Sequence, residues 1–481
     1  MRKLLILIHR YLGIVFSLLF FTWFISGIGM IYTRGMPGLT PESRLEHLPD
    51  LSAATVRLTP AQALTRAELG GAPDAAKLLS VLNRPAYRFE SGGGFVTVFA
   101  DNGELLDVTP DLAAEAARLF TNLPEDRVHA AGLLESVDQW TILSRRYLPL
   151  HKFMVDDDSG TELYVSGLTG ETIVLTTRTG RRLAWISAIP HWLYFEGLRK
   201  NPWLWRQVIL WTSGPASIAA LIGLVLAVVQ YRRQSPHIPY RGWLRWHYIT
   251  GAIFGILTVT WMFSGFLSVE PGYWASDGAI GEAQAAALQG GELDLRKFPR
   301  GLPTISAGGS AKEVEYLTIQ GDPYYRVRTQ HSLPMLMSSP SMEVHREPFG
   351  IDSLVERVVS PTPEVKVLES VVLEDYDSYY YAFERTAPLP VLRIKFDDPE
   401  STWLYVDPQM GELVARAHRR ERLQRWIYHG FHSLDFSFWY YKRPLWDIVI
   451  VGLSLGGALL SFIGIVIAWK RLWRAVVRTA R

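Results

Sequence analysis

Four histidines recur at fixed intervals and could do chemistry together. His9-Arg10-Tyr11 opens an apolar run that holds Trp23 and Ser26-Gly27. His247-Tyr248 opens another that holds Trp261 and Ser264-Gly265, and one constant offset relates every one of these matches. A second set (Leu163-Tyr164-Val165, Gly170-Glu171, Trp185, His191, Trp205 and Gly223) recurs as Leu404-Tyr405-Val406, Gly411-Glu412, Trp426, His432, Trp446 and Gly464, at a second, slightly longer offset. A fixed internal interval reads as two copies of one unit. It pairs His9 with His247 and His191 with His432. Paired imidazoles at two depths of a bilayer are what two non-covalent, bis-histidine haem b sites require.

Each pair has an ordinary reading beside the chemical one. An ionisable side chain in a bilayer is costly and usually faces the bundle interior with a partner. His9 and His247 would thus ligate one haem near the cytoplasmic face, with Arg10 and Arg245 close enough to hold its propionates. Otherwise they are interfacial histidines bonded to headgroups or carbonyls, and the arginines serve orientation only. His191 and His432 would ligate a second haem near the outer face. Otherwise they sit incidentally in an aromatic belt with Trp192, Tyr194, Phe195, Phe436 and Trp439. His429 lies one helical turn before His432 and is the other candidate ligand. Its counterpart is Ala188, so the repeat favours His432. Trp23 and Trp261 follow their histidines by 14 residues, about 21 Å of helix. They suit either a place between two haems or plain packing, with the Ser-Gly pairs allowing close helix approach. His129, His151, His331 and His345 have no counterpart and carry no role.

The elements that position these residues begin with four apolar stretches, Leu4–Tyr32, Trp203–Val229, Trp246–Val269 and Leu445–Trp469. Each is long enough to cross a hydrocarbon core of about 30 Å. The first exceeds a signal-peptide core and lacks a small-x-small cleavage site, so it reads as a retained anchor. Lys and Arg cluster at 2–3, in the 230–245 loop and in the 470–481 tail. The positive-inside rule puts all three in the cytoplasm and the long segments 33–201 and 270–444 outside, in the periplasm of a bacterial inner membrane. Two copies running the same way imply parallel repeats about an axis along the membrane normal. The chain of 481 residues has no cysteine, which excludes covalent haem attachment, thiolate-held clusters and disulfides. A net charge of +2 argues against a nucleic-acid partner.

The outer segments read as α+β regions, helices beside small antiparallel sheets. Thr59-Pro60 starts a short helix and Pro110–Phe120 a second. Strands are expected at 86–90, 95–100, 148–155, 161–165 and 171–176. In the second segment a helix at 351–359 precedes strands at 365–373, 379–385, 391–396, 402–406 and 412–417. Gly92-Gly93-Gly94 reads as a hairpin turn rather than a phosphate loop. The Gly-, Ala- and Gln-rich stretch 277–310 reads as a mobile excursion. Asp156-Asp157-Asp158 and its counterpart Asp397-Asp398 read as solvated turns rather than a hard-cation site.

The pattern Leu-Tyr-Val-(Ser/Asp)-x-x-(Thr/Met)-Gly-Glu, at 163–171 and 404–412, resembles a PepSY module. Set between four spans, the first of which opens His-Arg-Tyr-Leu-Gly, it resembles the PepSY-associated transmembrane family of iron-regulated inner-membrane proteins. The resemblance implies PepSY-like helix-plus-sheet modules. It also implies a haem-containing ferrisiderophore reductase that passes electrons to a periplasmic ferric chelate, with a quinol or a cytoplasmic flavoprotein as donor. The competing reading is a non-enzymatic, membrane-anchored PepSY binding or inhibitor protein. A transporter fits poorly, because the spans lack mid-membrane acidic residues and paired broken helices.

Overall fold

The structure is a computed structural model that describes residues 1–33, 35–273, 280–299, 301–302, 310–330, 333–339, 341–382 and 387–479. Four helices are long and apolar enough to cross a membrane: Arg2–Thr33, Pro202–Val229, Trp243–Leu267 and Leu445 to the C-terminal tail. They are referred to below as spans one to four. The fourth stays helical through Thr479, nearly three turns beyond its apolar run. Span one packs on spans two and four, and span three packs on the same two. Spans one and three therefore face each other across the bundle, and the Phe24 and Trp261 rings meet there at 5.3 Å. Ser and Gly at the crossings let backbones approach, as expected where no water drives association.

Local signals set the outer elements. Thr59 and Gln62 form a reciprocal capping box on Pro60–Arg66, and the Thr109 hydroxyl caps Pro110–Thr121. The strands of the first segment are β1 (Ala75–Val81), β2 (Arg84–Ser91), β3 (Gly94–Phe99), β4 (Val128–Leu134), β5 (Leu150–Val155), β6 (Glu162–Ser166) and β7 (Thr172–Thr176). Those of the second are β8 (Glu313–Ile319), β9 (Asp322–Arg328), β10 (Met335–Ser338), β11 (Val367–Leu373), β12 (Val391–Phe396), β13 (Trp403–Asp407) and β14 (Glu412–Ala417). Gly92 and Gly93, at φ +55° and +80°, turn β2 into β3 as a hairpin.

Two sheets follow chain order, β4-β5-β6-β7 and β11-β12-β13-β14. Each is covered by one helix. Ala113, Ala116 and Ala117 pack on Val128, Phe153, Leu163 and Val165, and Leu354 and Val358 pack on Leu392, Ile394, Phe396 and Leu404. A third sheet joins the two outer segments in the order β10-β9-β8-β1-β2-β3. At its join Lys77 stands opposite Glu315, with Ala76 opposite Tyr316 and Leu78 opposite Val314. Glu313, nearly fully buried, binds Arg44 at 2.6 Å and Lys77 at 3.4 Å, with Arg328 at 3.8 Å.

Three expectations change. The described part of 277–310 is packed, not an excursion: Ile280 and Leu288 lie in one core, Leu295 and Phe298 in another. Residues 277–279, 300 and 303–309 lie outside the described residues. Tyr379–Tyr381 is not a strand, because the Asp377 carboxylate accepts the Tyr379 and Tyr380 amides at 2.8 Å and offers the backbone a turn instead of a ladder. Residues 383–385 of that expected strand, and His331, lie outside the described residues. Strands β1, β4 and β8–β10 add to the expected set, β8 and β9 as a hairpin about Gln320-Gly321.

Candidate functional site

The two histidine pairs of the sequence become two close contacts. His9 and His247 bring their ring centres to 6.1 Å, tilted by 38°. His191 and His432 bring theirs to 5.9 Å, at 61°. Two metal–imidazole bonds of about 2 Å, plus about 1 Å from nitrogen to ring centre on each side, span about 6 Å. Both pairs therefore have the spacing of two axial ligands on one metal.

Small residues make room for the rings. A Cβ added at Gly223 on span two would stand 2.6 Å from Cε1 of His9, and one at Gly27 on span one 3.2 Å from Cε1 of His191. The fourth span presents Gly464 to His247 more loosely, at 3.9 Å. His191 ends its short helix, Ala188–Trp192, and His432 sits in Phe431–Ser433; each chain then reverses at a left-handed leucine, Leu193 or Leu434. The indole of Trp205 donates to the Trp192 carbonyl at 2.9 Å, and that of Trp446 to the Leu434 carbonyl at 3.2 Å. Each turn is thereby fastened to the start of the next span.

Hydrogen bonds then choose the tautomer. Nδ1 of His9 lies 2.9 Å from the Ala219 carbonyl. Nδ1 of His191 lies 3.2 Å from both the Trp23 carbonyl and the Ser26 hydroxyl. Carbonyls only accept, so Nδ1 of both rings carries the hydrogen. Nδ1 of His432 lies 2.9 Å from the Ser264 hydroxyl, which itself donates to the Trp261 carbonyl at 3.0 Å and so accepts from the ring. His247 departs from this pattern. Its Nδ1 is buried with no hydrogen-bond partner among the described residues. For His9, His191 and His432 the Nε2 lone pair is left for a metal, the arrangement in which a neighbouring acceptor orients a ligating histidine. Burial pushes His191 down to about 4 and His432 down to about 3. Both rings are therefore neutral at neutral pH, as ligation needs.

The other sequence candidates are placed as follows. The His429 ring lies against Tyr428 at 4.7 Å, while it is His432 that meets His191. Arg10 is half-buried and Arg245 exposed at the ends of spans one and three, and neither has a side-chain ion pair among the described residues. Trp23 and Trp261 belong to the packed cluster between the spans, and both indole nitrogens are buried without a partner among the described residues. Asp157 and Asp398 accept the amide and hydroxyl of Thr161 and Thr402, respectively, and so hold hairpin turns. Sequence reading missed a buried polar group near His429, formed by Arg425, Asp435 and Tyr381. No periodic signal announces it, because positions 184 and 194, one interval earlier, are Ala and Tyr.

Among the described residues no group of three or more His, Cys, Asp or Glu side chains could hold a metal ion. The sites are pairs. A bare cation between two imidazoles lacks most of its coordination sphere, whereas a porphyrin supplies four nitrogens in one plane and leaves two axial positions open. The donor set thus fits haem better than a free ion. Searched against models of known families and against curated proteins, the chain matches none.

Proposed function

We propose that this protein is a haem-containing inner-membrane reductase that passes electrons from the cytoplasmic side or the quinol pool to a periplasmic ferric chelate in iron uptake. The observation that carries the reading is the pair of imidazole contacts at 6.1 and 5.9 Å. Two parallel repeats of spans and PepSY-like modules would bring them about. The register of the shared sheet supports that arrangement, since Lys77 pairs with Glu315 and the two are offset in the chain just as His9 and His247 are.

Bound between each histidine pair, a haem b supplies a one-electron ferric–ferrous couple. His9 and His247 would hold the inner group, with Arg10 and Arg245 at its edge. His191 and His432 would hold the outer one. His191 touches the Trp23 carbonyl, 14 residues after His9, so the two sites lie about 21 Å apart along span one. The Ala219, Trp23 and Ser264 contacts keep Nε2 aimed and fix ligand basicity. Buried surroundings exclude water from the rings, which sets the potential of such a couple. Delivery of an electron to a ferric chelate lowers the charge on iron and loosens its bonds to hard oxygen ligands.

Colour tests the proposal. Full-length protein from haem-replete cells is expected to show a Soret band that shifts on dithionite addition and reoxidises with a ferric hydroxamate or catecholate. A colourless preparation overturns the reading and favours a membrane-anchored PepSY binding or inhibitor protein.

A further inference from the structure

The outer histidine pair has a neighbour without a counterpart in the first half of the chain. Arg425 opens the π-helical turn Arg425–Gly430, seven residues before His432, about 10 Å along a helix. Its side chain is 8 % exposed. Nε, Nη1 and Nη2 are all buried without a hydrogen-bond acceptor among the described residues. Aromatic rings flank the guanidinium, Tyr381 at 4.7 Å and Trp426 at 5.3 Å. Its ion-pair partner is the fully buried Asp435, whose Oδ1 lies 3.5 Å from Nη2 and, like the guanidinium, closes no hydrogen bond of good geometry among the described residues. Its other oxygen already accepts from the Tyr381 hydroxyl at 2.5 Å.

A guanidinium is a planar fork of five donors that does not lose its charge in proteins. Asp435 balances that charge, yet leaves the donors of the fork unmet. A buried cation in this state is strongly unfavourable until an acceptor arrives. The acceptor that suits the fork is a second carboxylate, which an arginine receives through two parallel hydrogen bonds. It must also be one that can reach a residue buried this deep, seven positions before His432 in the chain.

We infer that Arg425 holds a propionate carboxylate of the haem ligated by His191 and His432, an inference that rests on the haem reading above. A porphyrin held by His191 and His432 would bring its own carboxylates to this part of the protein, where Arg425 precedes His432 by seven residues. A soluble ferric chelate has no comparable way in. Arg425 thus does for the outer site what Arg10 and Arg245 do for the inner one, from a buried position rather than from the membrane surface.

The test separates the two readings. Full-length protein with His9→Ala and His247→Ala retains only the outer site. It is loaded with haem or with haem dimethyl ester, whose propionates are masked, and release to apomyoglobin is followed by the Soret band. With Arg425 intact, the ester is expected to leave about tenfold faster than haem or more, the effect of losing one charge-assisted hydrogen bond. Arg425→Gln is expected to release haem as fast as the ester and to erase the difference between them. Equal release of haem and ester with Arg425 intact overturns the inference and leaves the haem reading standing, as does a tenfold difference that survives Arg425→Gln. If Arg425→Gln does not fold, Arg425→Lys takes its place, and equal release of haem and ester with Arg425 intact still overturns the inference. A chain that takes up neither compound overturns both.

Discussion

Lys77 stands directly opposite Glu315 at the join of the six-stranded sheet, and the offset between them in the chain equals that between His9 and His247. Two antiparallel strands related by a twofold axis must contain one point where a residue faces its own counterpart. The flanking pairs, Ala76 with Tyr316 and Leu78 with Val314, exchange under the same shift. The six-stranded sheet and the His9–His247 contact are thus related by one interval in the chain.

Glycine at 223 should be required for the inner site. A Cβ there meets His9 Cε1 at 2.6 Å, whereas one at Gly13 on span one meets nothing within 4 Å. Gly223→Ala is expected to lose about half the bound haem, because overpacking of about 1–3 kcal/mol displaces the ring. Gly13→Ala should keep all of it. Haem per protein by pyridine haemochrome is the measurement, and equal content in both variants refutes the prediction.

Ser264 should matter more than Ser26. The Ser264 hydroxyl is the sole hydrogen-bond partner of His432 Nδ1 among the described residues, whereas His191 Nδ1 keeps the Trp23 carbonyl when Ser26 is removed. Ser264→Ala is expected to weaken haem retention at the outer site roughly 10- to 100-fold, the usual effect of removing the group that orients a metal-bound histidine. Ser26→Ala should change it little. Haem transfer to apomyoglobin reads both.

His429 and His432 can be told apart by substitution. Only His432 pairs with His191 at ligand spacing. His432→Ala should remove the outer haem and leave about half the total, while His429→Ala should keep the full content with a perturbed spectrum. Loss of haem from His429→Ala alone would reverse the assignment.

The outer sheet should carry an acid-sensitive link at Glu313. Burial pushes this carboxyl up, but Lys77, Arg44 and Arg328 outweigh that and hold it below the usual carboxylate range. Its folded pKa is thus depressed, so its contribution is complete above the unfolded value of about 4.3 and is lost as pH falls through the folded value. Glu313→Gln removes a shared carboxylate from three half-buried cations, Lys77, Arg44 and Arg328, and should cost about 1–3 kcal/mol. Thermal melts in detergent should show that loss at pH 7 and a shallower acid slope in the variant.

Much of the site was legible because its signals are local or repeated. Apolar length marked the four spans, Thr-Pro pairs marked the helix starts at 60 and 110, and the two constant offsets paired the histidines before any fold was known. What stayed hidden depends on atoms that carry no residue signature or on contacts far apart in the chain. The Ala219 and Trp23 carbonyls that set the histidine tautomers are backbone atoms, identical at every position. The strands β1 and β8 pair although spans two and three lie between them in the chain, and such a contact has no short-range trace. Arg425 and Asp435 have no counterpart one interval earlier, where Ala184 and Tyr194 stand. The sequence by itself determined which histidines belong together, since repetition is a property of residue order. Only the tertiary structure decided their spacing and tautomer, and which arginine is left buried with empty donors, because packing in three dimensions sets all of these.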